Sequence, residues 1–161
     1  MLALRFAAVL ALVVWIGGLV TLGALAAPAA FEVLGSRGAE GRTLAGSVVG
    51  ETLRRFNVVT YACAAVVLLS LMIRGVLGPR PRRFAVRVGG LLVMTAAALY
   101  AGVVVAPQVA HARQSIGAAL STFDPADPRR IEFGRLHARS VSVQLIPLLG
   151  GLALLLFELK D

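Results

Sequence analysis

His137, Ser140 and Gln144 are the residues whose types and spacing come closest to chemistry in this chain. At 100° per residue on a helix they fall within about 60° of one another, with Gly151 continuing the same side. An imidazole, a hydroxyl and a carboxamide on one face can bond across to a neighbouring helix or form the wall of a polar pocket. The chain holds 2 histidines. The second, His111, could join His137 to offer two imidazoles to a metal, with copper or haem the cofactors to consider. No H-x-x-x-H or C-x-x-C-H spacing supports that pairing. Asn57 and Tyr100, with Thr60, Tyr61 and Gln108, could belong to the same polar layer. The plainer expectation for all of them is interhelical hydrogen bonding, worth about 0.6–2 kcal/mol apiece, with a ligand or metal site as the alternative.

Other chemistries lack their residues. There is no Ser–His–Asp signature, no phosphate-cradling glycine loop and no H-E-x-x-H. Cys63 is the 1 cysteine in the sequence, so multi-cysteine metal sites are excluded, and it reads as a packing residue. No Asp or Glu interrupts the apolar stretches, whereas proton-driven pumps place carboxylates in mid-membrane. No ionisable group is expected to be buried. The reading is therefore not an enzyme, and no bound cofactor is expected.

The elements that must position these residues are membrane spans. Of 161 residues, 58% are hydrophobic and 15% charged, and the mean hydropathy is +0.86. A soluble domain carries about a quarter charged residues. A helix needs roughly 20 apolar residues to cross about 30 Å of hydrocarbon. Four stretches qualify, at about 6–31, 56–73, 84–106 and 137–158, the last depending on the residues before its apolar run. The first is far longer than the 7–15-residue apolar core of a signal peptide, so Ala24-Leu-Ala26 is read as span rather than cleavage site. The expected fold is all-α: one four-span domain over 1–161, an integral membrane four-helix bundle.

The flanks suggest that helices 2–4 extend beyond the bilayer on the outer side. From Ala39 an apolar stripe of Leu44, Val48, Leu53 and Phe56 can run straight into span two or lie on the membrane surface. Span three can continue past Pro107, with a kink, toward Ile116. Ser121-Thr-Phe-Asp124-Pro125-Ala-Asp127-Pro128 is a turn cluster. Asp127 before Pro128 is an N-cap with proline at the first helical position, and that start gives a last helix of about 30 residues. Gly17, Thr21, Ala24 and Pro28 follow one face of span one and are expected to meet another helix, since small residues permit the close packing that holds membrane helices together. No internal repeat stands out.

Charge sets orientation and partners. Sixteen basic residues oppose eight acidic ones, for a net +8. Arg74, Arg80, Arg82, Arg83 and Arg87 crowd the second connection without an acid, while the arginines of the other two connections mix with acids. The dense loop should be cytoplasmic, which puts both termini there too, in a bacterial-type inner membrane. The basic loop then lies beside anionic headgroups. No aromatic residues interleave with it for base stacking, so nucleic acid is not an expected partner. The expected partners are the lipid bilayer and other membrane subunits or a second copy. Arg54, Arg55 and Arg139 are expected to snorkel or to pair with Glu51 and Glu132.

Two stretches carry a family resemblance. Trp15-Ile-Gly17-Gly18-Leu19 with Ala27-Pro28-Ala-Ala-Phe31 resembles the first span of the transmembrane protein 205-like family. Phe133-Gly-Arg135-Leu136-His137-Ala-Arg-Ser140 resembles the approach to that family's last span, and Leu44-Ala-Gly46 and Ala106-Pro107 fit as well. Gln144 stands where the family tends to have asparagine. The resemblance implies a four-span topology and no established activity. The W-x-G-G signature is also similar to copper-resistance D proteins and the HemJ group, which implies haem or copper, although their histidine patterns are not reproduced. The function expected is a non-enzymatic interaction or accessory subunit. The alternative is binding or transport of a metal, haem or small lipophilic ligand around His137.

Overall fold

The computed structural model describes residues 1–78, 80–116, 123–124 and 126–160. Of the turn cluster at 121–128, residues 121, 122 and 125 lie outside that set. Among the described residues, four helices are each long and apolar enough to cross a membrane: α1 (Leu2–Gly35), α2 (Ala39–Leu77), α3 (Phe84–Gln114) and α4 (Pro128–Leu159). At 1.5 Å per residue the 39 residues of α2 span ~58 Å and the 32 of α4 ~48 Å. Both exceed the hydrocarbon thickness, so part of each must leave it. Helix α2 continues unbroken from Ala39 into the apolar run. It does not stop to form a separate surface helix.

Local chemistry sets the helix ends. Gly38 holds φ 82° before α2, a conformation that costs glycine nothing and other residues 1–2 kcal/mol or so. Asp127 caps α4 as its sequence implies: its carboxylate accepts from the Arg129 N–H at 2.9 Å, with Pro128 in the first turn. Arg83, at φ 54°, turns the chain into α3.

Helices α1 and α3 each contain one wide π-helical turn, Thr21–Ala26 and Tyr100–Val105. Each turn ends just before an Ala-Pro pair, Ala27-Pro28 and Ala106-Pro107. Proline has no N–H to give and its ring crowds the carbonyl four residues back; the wider turn absorbs that crowding. The expected kink at Pro107 is thus a π-turn preceding it. The two sites also share a pattern, Gly23-x-x-x-Ala27-Pro28 and Gly102-x-x-x-Ala106-Pro107. Burial repeats with them: Ala8, Leu12 and Trp15 on α1 match Arg87, Leu91 and Met94 on α3, while Cys63, Val67, Ser70 and Arg74 on α2 match Pro147, Gly151, Leu154 and Glu158 on α4. A repeat of two hairpins, not apparent from sequence, is visible in the fold.

Each helix packs on its chain neighbours, and α4 closes the ring against α1. The core joins Leu12, Trp15 and Ile16 to Cys63, Val67 and Leu71, then to Leu91, Met94 and Leu154. Trp15 and Cys63 are thereby packing residues. Glycines let the helices meet. A methyl on Gly151 would lie 2.8 Å from Ile16 Cγ1, and one on Gly150 would lie 2.7 Å from Met94 Cγ. One expected surface is not used here. Gly17, Thr21, Ala24 and Pro28 are exposed, and nothing lies within 4 Å of a methyl placed on Gly17. It is the next residue, Gly18, that packs, against the Phe56 ring. A turn of 100° per residue puts the two glycines on different faces.

The outward surface carries Leu10, Val13, Leu69, Val93 and Leu149, while Thr60, Ser70, Arg74, Arg87 and Glu158 are buried. Apolar outside and charge inside reverses the order water imposes. The fold is that of a multi-pass membrane protein.

Candidate functional site

The expectation that no ionisable group is buried is overturned at one end of the bundle. Glu158 is 3% exposed, Arg87 2% and Arg74 8%. Arg74 Nη1 donates to Glu158 Oε2 and Arg87 Nη1 to Oε1, each at 2.8 Å. Arg87 also donates to the Phe157 carbonyl at 2.8 Å and lies 5.7 Å from the centre of that residue's ring. Arg5 donates to the backbone carbonyl of Glu158 and stands 4.0 Å from its carboxylate. One carboxylate thus connects guanidiniums from α1, α2 and α3 to α4. Beside it, Ser70 donates to the Leu4 carbonyl at 2.6 Å, fastening α2 to the start of α1.

Such a group is affordable in a dry interior only when paired and hydrogen-bonded on both oxygens. From sequence, Arg74 and Arg87 stand out only as markers of orientation, and Glu158 is not singled out. The signal was available in the topology. In a four-span up-and-down bundle the start of span one, the end of span two, the start of span three and the end of span four share one level, and each carries one of these four residues.

The same end is strongly basic. A cavity of about 420 Å³ is lined by Arg5, Arg74, Arg80, Arg82 and Lys160, with Met1 at its edge. A second, of about 480 Å³, shares Arg82 and Lys160 and reaches Arg83 and Arg87. Met1 also packs on Gly78. Both ends of the described chain and the α2–α3 connection are therefore together.

The polar layer expected around His137 lies toward the other end and is only partly assembled. Asn57 and Tyr61 of α2 reach the π-turn of α3: a methyl on Gly102 would fall 2.8 Å from Asn57 Nδ2 and closer still to the Tyr61 hydroxyl. Tyr100, in the same turn, accepts a hydrogen bond from Arg139 of α4, whose guanidinium lies 5.2 Å from the ring centre. Arg139 is thus paired with Tyr100 rather than Glu132. Arg54 and Arg55 do pair with Glu51, at 2.7 and 2.8 Å. Ser140 and Gln144 are half-buried, and His111 and His137 are exposed. The His137 ring stacks on Phe133, centroids 6.3 Å apart, and Phe133 in turn carries Arg113 at 5.8 Å. Arg113 lies against Gly46, its Nη2 2.6 Å from where a methyl there would be. Among the described residues no group of three His, Cys, Asp or Glu could hold a metal ion. Two exposed imidazoles do not fit an enclosed copper or haem centre.

Residues 10–118 match the family described as a domain of unknown function, DUF4149. The chain belongs to the DUF4149 family. No curated protein and no solved structure matches it. The DUF4149 match gives the chain a family without an assigned activity; it does not supply the names suggested by the short motifs of the first and last spans. It takes in Asn57, Arg74, Arg87, Tyr100 and His111. Arg5, His137, Ser140, Gln144 and Glu158 lie outside it.

Proposed function

We propose that this DUF4149 protein is a non-enzymatic accessory subunit of a bacterial-type inner membrane, associating through its first helix with a membrane helix of another subunit or of a second copy. The observation that carries this reading is the exposed face of Gly17, Thr21, Ala24 and Pro28. Lipid gives helices no hydrophobic reason to associate, so contact depends on how closely backbones approach, and small residues permit the closest approach. A face of this kind inside the bundle would be explained by the bundle. Outside it, the face matches what a further helix requires. The likeness of the Trp15 and His137 segments to the transmembrane protein 205-like family supports the four-span topology on which this reading rests. The arginine-dense α2–α3 connection supports cytoplasmic termini.

The test is the composition of the particle extracted in mild detergent. The wild-type protein is expected to carry a stoichiometric second chain, or a second copy of itself. Ala24→Leu is expected to release it while the monomer keeps its helicity and thermal midpoint. A wild-type particle that is always a lone monomer sinks the proposal.

A further inference from the structure

We propose that the basic cavity at the end of the bundle bearing the α2–α3 connection is a site for the phosphate group of an anionic phospholipid. Its cations come from four places in the chain: Arg5 on α1, Arg74 at the end of α2, Arg80 and Arg82 in the connection, and Lys160 after α4. Arg74 already serves Glu158, and Arg5 touches the same acid. Arg80, Arg82 and Lys160 form no ion pair among the described residues, and they line a space of about 420 Å³. That surplus attracts an anion. Guanidinium groups match phosphate oxygens two at a time, which suits a phosphodiester better than a halide.

A second, independent observation selects the source of the phosphate. Leu2 lines the cavity and is 82% exposed, and Val76 and Leu77 at the end of α2 are 81% and 72% exposed. Cationic surface and the bare aliphatic surface of Leu2 therefore adjoin, a pairing that suits a lipid headgroup with its acyl chains beside it. Free phosphate would use the first surface and leave the second uncovered.

The experiment measures retention of phosphatidylglycerol by the full-length chain in mild detergent, by native mass spectrometry and by titration with a fluorescent analogue. The wild-type protein is expected to hold phosphatidylglycerol and not phosphatidylcholine. The variant Arg80→Gln/Arg82→Gln/Lys160→Gln should bind roughly a hundredfold more weakly, and each single substitution roughly fivefold. The singles keep the test valid should the triple variant misfold. Removing equal charge at the opposite end, with Arg37→Gln/Arg42→Gln/Arg135→Gln, should change affinity by no more than about threefold. Equal weakening by that control, equal retention of phosphatidylcholine, or no weakening in the singles would each overturn the proposal. Displacement of the lipid by millimolar inorganic phosphate would also overturn it, in favour of a free-phosphate site. The readout is lipid affinity, so it succeeds or fails independently of whether a second chain binds α1.

Discussion

Glu158 is the residue on which most side-chain energy at its end of the bundle converges. Glu158→Gln leaves Arg74 and Arg87 buried with a neutral partner, and stability should fall by about 3–5 kcal/mol. Replacing the set together, as Arg74→Met/Arg87→Met/Glu158→Leu, should restore much of that loss, because a buried ion pair gains little over well-packed apolar groups. Thermal unfolding in detergent compares the two variants. At the other end, Asp127 titrates below the ordinary aspartate value of 3.8, held down by the side chain and then the backbone N–H of Arg129. A depressed folded value means the cap is at full strength above that ordinary value and is lost as pH falls through the folded one. Amide exchange at Arg129 should therefore quicken only in that acid range, with the rest of α4 protected. His137→Ala, by contrast, removes an exposed ring and should shift stability by less than about 0.5 kcal/mol. Residue types marked His137 from sequence because histidine is rare here. Glu158 carried no such mark, since its importance comes from three arginines far away in the chain.

Adjacent glycines on α1 provide the cleanest contrast among the elements. Gly18→Ala drives a methyl into the Phe56 ring, so α1 and α2 must separate or the ring must turn, at about 1–3 kcal/mol. Gly17→Ala meets nothing and should be neutral or slightly stabilising for the monomer. Melting curves of the two single variants decide it. The helices themselves were legible from apolar run length, and the start of α4 from Asp127-Pro128, because both signals are local. Which face of α1 turns inward was not legible. Small residues suit contact with any helix, inside the bundle or outside, so Gly17, Thr21, Ala24 and Pro28 named a contact without naming its partner. The π-turns were hidden for a related reason: proline announces a disturbance in a helix but not the form the backbone takes to absorb it.

Taken whole, the molecule has one end rich in guanidinium groups and another where acids and bases alternate. With Met1, Lys160 and the α2–α3 connection together at the first end, tags fused at either terminus should report the same compartment. On the proposed orientation, which follows arginine density, that compartment is expected to be the cytoplasm. Reporters at the two termini check it, and opposite answers would contradict the four-span ring. The sequence offers an expectation for orientation because that depends on charge per connection, and the reporters are its test. It offers none for the lateral order of the helices, since four apolar segments of similar composition can be arranged around a ring in more than one way.

The chemical asymmetry of the bundle also bears on how it is made. Arg5, Arg74 and Arg87 all precede Glu158 in the order of synthesis, so three like charges reach one corner before their common counter-ion exists. The first three helices then carry uncompensated like charge at that corner, and the last supplies the counter-ion that completes its closure. Biogenesis should accordingly pass through a loose three-helix stage that is open to proteases and insertion factors, and a ribosome stalled ahead of the fourth helix should leave an intermediate destined for degradation.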